Sequence, residues 1–379
     1  MNRHRQLYRA AIACAALLMI GLSAATSARG TPRQSPPVKP GHIFILILEN
    51  QSFSRTFSPN SPAPYLAHEL PAKGALLRNY YGIGHNSLDN YIALVSGQAP
   101  NVATQRDCTK FVEFKLDQPT LDENGQAIGS GCVYPTNVPM LGDQLEAAGK
   151  SWRGYMQDLG NDKSKAVEEC GHPPIGERDP TLNRTPADQY ATKHNPFYYF
   201  HNLIDNHDRC VQRVVNLNRL SDDLKSIATT PNYSFITPNL CDDGHDAPCV
   251  DKAPGGLVQA DGFLRKWVPK IMDSPAFKAD GVLIITFDEA SGPPGMDSSA
   301  CCGEKGLPGG PQPGGSGPGG GRTGAVILSP FVKPNTISEV PYNHYSTLRW
   351  VEDQFGVPHL GYAAASGLAT FGEDVFERR

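Results

Sequence analysis

The chain has 379 residues and a formal net charge of −4, with 34 Lys and Arg against 38 Asp and Glu. It carries no basic block, so the counter-ion release that drives nucleic-acid binding has no footing and nucleic acid is excluded as the main partner. Its 38 glycines and 33 prolines, well above an average near ~12%, exclude bundles and coiled coils and predict many ordered loops, while the length suffices for one large α/β domain or two smaller ones.

From the amino terminus, Arg3, Arg5 and Arg9 precede an apolar run from Ala10 to Ala25, and Thr26, Ser27 and Ala28 supply small residues for cleavage. These are the three regions of a secretory signal peptide, read here as residues 1–28. The apolar run falls short of the ~20 residues that a spanning helix needs, so no stable membrane anchor is expected and the mature protein is expected outside the cell or in its envelope. Residues 29–40, with Pro32, Pro36, Pro37 and Pro40, read as a polar linker. Nothing in the sequence fixes an oligomeric state.

The domain is expected over residues 41–379. His42 to Leu48 is almost continuously apolar and rich in β-branched residues, the pattern of a parallel strand buried on both faces; it stops at Glu49-Asn50. A helix is predicted from Ser87, because apolar residues recur at 88, 91, 92 and 95 before Gly97. Met140–Ala148 and Leu257–Met272 also have helical spacing. Strands are expected at Tyr233–Ile236, at Gly281–Phe287, which stops at Asp288-Glu289, and at Ala325–Leu328. Gly303 to Gly321 is a low-complexity Gly/Pro segment that reads as a flexible loop. A last helix runs from His344 to about Phe355. Alternating strands and helices imply an α/β fold, a mostly parallel central sheet with helices on both faces, whose ligands sit beyond the carboxyl ends of the strands.

Apart from Cys14 in the leader, the cysteines are Cys108, Cys132, Cys170, Cys210, Cys241, Cys249, Cys301 and Cys302. An even number in an exported chain points to as many as four disulfides. Their order favours pairs close in sequence, with Cys301 and Cys302 bonded either to each other or to separate partners.

A serine at a helix start is, by itself, an N-cap. The same position gathers free N–H groups and positive dipole, which suit a phosphate and an attacking alkoxide. Its company favours the chemical reading. Glu49, Asn50, Asp288 and Glu289 stand at two strand ends as hard ligands for a divalent cation, and Ser87 can complete that shell. His245 follows Asp242-Asp243-Gly244 in a polar loop, and His344 opens a helix; a histidine opposite the nucleophile can protonate a leaving oxygen.

Six segments in this order, Leu48 to Phe53, His85 to Tyr91, Lys193 to Phe197, Asp242 to Asp246, Thr286 to Glu289 and Asn343 to Ser346, resemble the bacterial phosphoesterases that join phospholipases C to secreted acid phosphatases, within the alkaline-phosphatase-like superfamily. The resemblance spans residues 41 to 356. It implies one divalent metal ion, of a kind the residue types do not name, held by Glu49, Asn50, Ser87, Asp288 and Glu289. It further implies Ser87 as the phosphorylated nucleophile and His194 and His245 as phosphate contacts or proton donors. His85, Asn90, Asp242 and His344 follow as second-line or phosphate-binding candidates. Asp89 and the Asp242-Asp243-Gly244 stretch depart from the usual family residues.

The phospholipase members continue into C-terminal β-rich domains, whereas 35 residues follow His344 here. The expectation is therefore a secreted phosphomonoesterase acting on phosphoinositide, another lipid-derived ester or a small phosphate ester. A phospholipase C-type phosphodiesterase is the alternative, and an inactive secreted binding protein is the alternative of another class.

Overall fold

The computed structural model describes residues 39–162, 170–292 and 296–377. The expected signal peptide, and the linker up to residue 38, lie outside the described residues. The large sheet is built from β1 (His42–Leu48), β2 (Ala75–Leu77), β3 (Trp152–Met156), β4 (Val214–Asn216), β5 (Tyr233–Thr237), β6 (Gly281–Phe287), β7 (Ala325–Leu328) and β8 (Thr336–Ser338). Their order across the sheet is β8-β2-β7-β6-β1-β5-β3-β4. Neighbours run parallel except at β7, which is antiparallel to both β6 and β2.

β1 lies at the centre because both of its faces are apolar. Ile43, Ile45 and Ile47 point into one core with Leu88, Tyr91 and Val95 of α1 (Ser87–Ser96), Leu141 and Leu145 of α2 (Leu141–Ala147), and Leu348 and Val351 of the terminal helix His344–Phe355. Phe44, Leu46 and Leu48 point into the other, against Leu257, Leu264, Trp267 and Ile271 of α3 (Gly256–Asp273). Each such side chain contributes roughly 1.5–3 kcal/mol by leaving water. The terminal helix is α4. In the sheet register Leu48 lies opposite Phe287, so β1 and β6 end side by side and deliver Glu49-Asn50 and Asp288-Glu289 to one rim.

The long strands and helices fall where the periodicity puts them. The four further strands, β2, β3, β4 and β8, span only three to five residues. β3 also carries Arg153, whose guanidinium pairs with buried Asp223, to which Tyr155 also donates at 2.7 Å. The cysteines pair locally, as 108–132, 170–210, 241–249 and 301–302. The Gly/Pro segment is tied to the sheet rim: the Gly320 N–H donates to the Gly82 carbonyl at 3.1 Å and the Gly82 N–H to the Gly321 carbonyl at 3.0 Å. A Cβ on Gly82 would stand 2.5 Å from the Asp288 carbonyl oxygen, so this close approach of three backbones requires glycine. Among the described residues no helix is long and apolar enough to cross a membrane.

Glu352 of α4 is buried; one carboxyl oxygen accepts from the Leu360 N–H at 2.9 Å and the other has no partner. Burial pushes its pKa up to about 9 from an ordinary 4.5. A raised carboxyl pKa means that the folded state holds the proton longer, so stability is greatest below about 4.5 and is lost as pH rises toward about 9. Glu352→Gln keeps the acceptor for Leu360 and removes the titration. Urea midpoints across that window are expected to decline less steeply with pH in the variant; parallel declines would contradict the assignment.

Candidate active site

The turn after β1 is fixed by its neighbours. The Glu49 N–H donates to the Asp243 carbonyl at 2.8 Å and the Asp288 N–H to the Leu48 carbonyl at 2.9 Å. Asn50 adopts the left-handed conformation, φ 56°, which asparagine tolerates better than most residues. Its N–H donates to Asp288 Oδ1 at 2.8 Å, an oxygen that also accepts from the Glu289 N–H at 2.7 Å. The other oxygen of Asp288 is buried without a partner.

Glu49 is the hub. Its Oε2 accepts from Ser87 Oγ at 2.8 Å and from Asn50 Nδ2 at 2.9 Å, and its Oε1 accepts from the Tyr91 hydroxyl at 2.7 Å. Ser87 and Tyr91 are one helical turn apart on α1, so both reach the same carboxylate. The N-cap expectation for Ser87 is corrected here. Ser87 is the first helical residue, Asn86 holds the cap position without a side-chain bond, and Asp107 Oδ1 accepts from the Leu88 N–H at 3.1 Å. The Ser87 hydroxyl is therefore not spent on capping.

His194 stands beside this pair, with Nε2 3.3 Å from Glu49 Oε1 and Nδ1 3.7 Å from Asp243 Oδ2. Its ring stacks on Tyr91 at 5.2 Å. Neither ring nitrogen has a hydrogen-bond partner, and Asp243 Oδ2 has none either. Glu49, His194 and Asp243 each offer a ligand atom, all within 4.8 Å of one another and all buried. Burial raises the carboxyls of Glu49, Asp243 and Asp288 above their ordinary range and, with the charges of Lys193 and His245, pulls His194 well below its own. Such a set of buried carboxylates with unpaired oxygens is costly unless a cation compensates it. Hard oxygens with one imidazole fit a divalent metal ion.

The remaining sequence candidates divide. Glu289 is buried, and its Oε2 accepts from Asn90 Nδ2 at 3.1 Å. Asn90 holds the preceding turn, accepting from the Ile83 and Gly84 N–H groups at 2.7 and 3.0 Å. Asp242 is not part of the cluster and accepts from Gln157 at 2.7 Å and from Gln259 at 3.0 Å; Asp243, not Asp242, reaches His194. His344 donates through Nε2 to the Asp288 carbonyl at 2.5 Å and accepts the Tyr80 hydroxyl at Nδ1, 3.1 Å away. Both of its nitrogens are thus engaged, and burial lowers its pKa to about 4. His85 Nε2 donates to the Asp297 carbonyl at 2.8 Å. His245 is exposed at the rim, with its N–H on Asp243 Oδ1 at 2.9 Å. Asp243, Tyr91, Lys193 and Asp107 are the site residues that the sequence candidates omit. Tyr91 reads as part of an apolar stripe, and Asp243 and Lys193 each adjoin a residue that draws the eye first.

Residues 59–358 match the phosphoesterase family. The chain belongs to the phosphoesterase family. The matched span includes Ser87, His194, Asp243 and Asp288 and begins after Glu49. The chain is 25% identical over 322 residues to a probable acid phosphatase of Kluyveromyces lactis, covering 84% of this chain and 59% of that one. It is 24% identical over 328 residues to a phosphatidylinositol-3-phosphatase of Mycobacterium tuberculosis, covering 85% and 79%. It thus spans only about half the length of the fungal acid phosphatases it matches, 59% for the first and 51% for that of Aspergillus fumigatus. A solved structure of a protein in the alkaline phosphatase superfamily from Vibrio parahaemolyticus aligns over 88% of this chain and 72% of its own, at 14% identity and a TM-score of 0.46.

If this cluster of the phosphoesterase chain holds the cation, Asp243→Asn is expected to cut divalent-ion retention by at least about tenfold, read by metal analysis after desalting. Asp242→Asn is expected to retain the ion. The reverse pattern would move the site to Asp242.

Proposed function

We propose that the chain is a secreted, metal-dependent phosphomonoesterase that works through a phosphoserine at Ser87. The observation that carries this reading is the 2.8 Å hydrogen bond from the Ser87 hydroxyl, at the first position of a ten-residue helix, to the buried carboxylate of Glu49. Glu49, Asp243, Asp288 and His194 would hold the metal, with Asn50 and Glu289 flanking them. A bound divalent ion supplies charge that lowers the pKa of the nucleophile and offsets the negative charge of the phosphoryl oxygens.

The chain's own groups do the rest. The Ser87 proton leaves along its bond to Glu49, and Oγ attacks phosphorus as the helix N-terminus draws the anion in. The Oγ–P bond forms while the bond from phosphorus to the leaving oxygen breaks, and His245 at the rim gives that oxygen a proton. Water then attacks the phosphoserine, giving a proton to His245, and as the Oγ–P bond breaks Glu49 returns its proton to Oγ, which releases inorganic phosphate and restores the Ser87 hydroxyl. His194 belongs with the cation ligands in this scheme, since its ring is walled between Glu49 and Asp243. Asp242, His85 and His344 take no direct part, and His344 acts by holding the Asp288 backbone. The names of the relatives, acid phosphatase and phosphatidylinositol-3-phosphatase, support small or lipid-derived monoesters as substrates. The four disulfides support export.

The test is hydrolysis of p-nitrophenyl phosphate and p-nitrophenyl phosphorylcholine, with and without chelator. Turnover of the first alone, abolished by chelator and reduced by about a thousandfold or more in Ser87→Ala, is expected. Turnover of the second alone would turn the reading to a phospholipase C-type diesterase, and turnover of neither to a binding protein.

A further inference from the structure

Beside Ser87 stands a fixed cation. Lys193 Nζ lies 3.4 Å from Ser87 Oγ and 2.9 Å from Asp107 Oδ2, with only 16% of its side chain exposed. It occupies a short 3₁₀ turn, Thr192–His194, so the residue after it is the His194 of the buried cluster. Asp107 is held on two sides. Its Oδ1 caps α1 at the Leu88 N–H, and it adjoins Cys108, which is bonded to Cys132. One carboxylate thus fixes both the start of the helix that carries Ser87 and the ammonium beside it.

A lysine next to a serine nucleophile can act either as a base or as a charge. Lys193 Nζ donates to the Asp107 carboxylate at 2.9 Å, the pairing of an ammonium rather than of a free amine. It acts as a charge. The Ser87 hydroxyl is consequently flanked by Glu49 Oε2 at 2.8 Å and Lys193 Nζ at 3.4 Å. A phosphoryl group bonded to Ser87 would lie within reach of both the cation-binding carboxylates and the ammonium. A monoester brings three non-bridging oxygens and close to two negative charges; a diester brings two oxygens and one charge. A fixed ammonium favours the first.

We propose that Lys193 is a specificity-determining residue that selects phosphate monoesters over diesters, and that Asp107 is the positioning residue that aims it. This rests on the reading of Ser87 as the nucleophile.

The experiment compares kcat/KM for p-nitrophenyl phosphate and bis(p-nitrophenyl) phosphate in the full chain with metal present. Lys193→Met is expected to lower the monoester value by about a hundredfold and the diester value by less than about tenfold, the range of one charge-assisted hydrogen bond. Lys193→Arg keeps the cation and is expected to hold the monoester-to-diester ratio within about threefold. Asp107→Asn is expected to shrink that ratio part-way. Inorganic phosphate as a product inhibitor is expected to bind Lys193→Met at least about tenfold more weakly, a readout that needs no diester turnover. Equal losses on both esters, or unchanged phosphate inhibition, would overturn the proposal while leaving Ser87 in place. A fully active Ser87→Ala, or a wild type that cleaves neither ester, would bring down the underlying reading and the proposal with it.

Discussion

The hydrogen bond between Ser87 and Glu49 joins two parts of the chain that share no local structure. One is the end of a central strand buried on both faces, the other the first residue of a helix packed on that strand through Leu88, Tyr91 and Val95. Because β1 is pinned by β5 on one side and β6 on the other, Glu49 has little freedom to move. Because Tyr91 grips the same carboxylate one turn along, neither has α1. The Ser87 hydroxyl therefore inherits its position from the hydrophobic core, and the candidate site would be preorganised before any ligand arrives.

That rigidity has an electrostatic cost. Glu49, Asp243, Asp288 and Glu289 are all buried at one rim, and each is pushed toward its neutral form by burial. Two partners would offset it. A divalent cation would engage the unpaired oxygens of Asp243 and Asp288, while Lys193, itself balanced by Asp107, stands beside Ser87. The surrounding loops serve this arrangement rather than forming a second body. Asp288 is held from behind by His344, and the Gly/Pro segment closes on it through Gly82 and Gly320.

The parts of the fold legible in the sequence were those with a long, regular burial pattern. β1 and β6, seven residues each and almost continuously apolar, and the helices at Ser87, Leu257 and His344 follow from the pattern of apolar residues. β2, β4 and β8 are too short for a pattern to register, and Arg153 breaks the apolar run of β3 because its partner Asp223 lies 70 residues away. The site was legible where acids end a strand and less so elsewhere. Asp242 and Asp243 are equivalent in sequence, and only the path of the loop decides which one turns inward. His344 and His85 read as reactive groups, yet each spends its Nε2 on a backbone carbonyl. Lys193 and Asp107 belong to different loops, and nothing short of the folded chain places them beside Ser87.

If Ser87 is the nucleophile, its oxygen becomes covalently bonded to phosphorus during turnover. The most direct measurement is an acid quench of the metal-loaded protein during steady-state hydrolysis of a phosphate monoester, followed by peptide mass spectrometry. One phosphoryl group on Ser87, present with substrate and absent after substrate is exhausted, is the predicted result. A phosphoryl group on a histidine, or rapid turnover with no phosphorylated peptide while Ser87→Ala remains active, would contradict it.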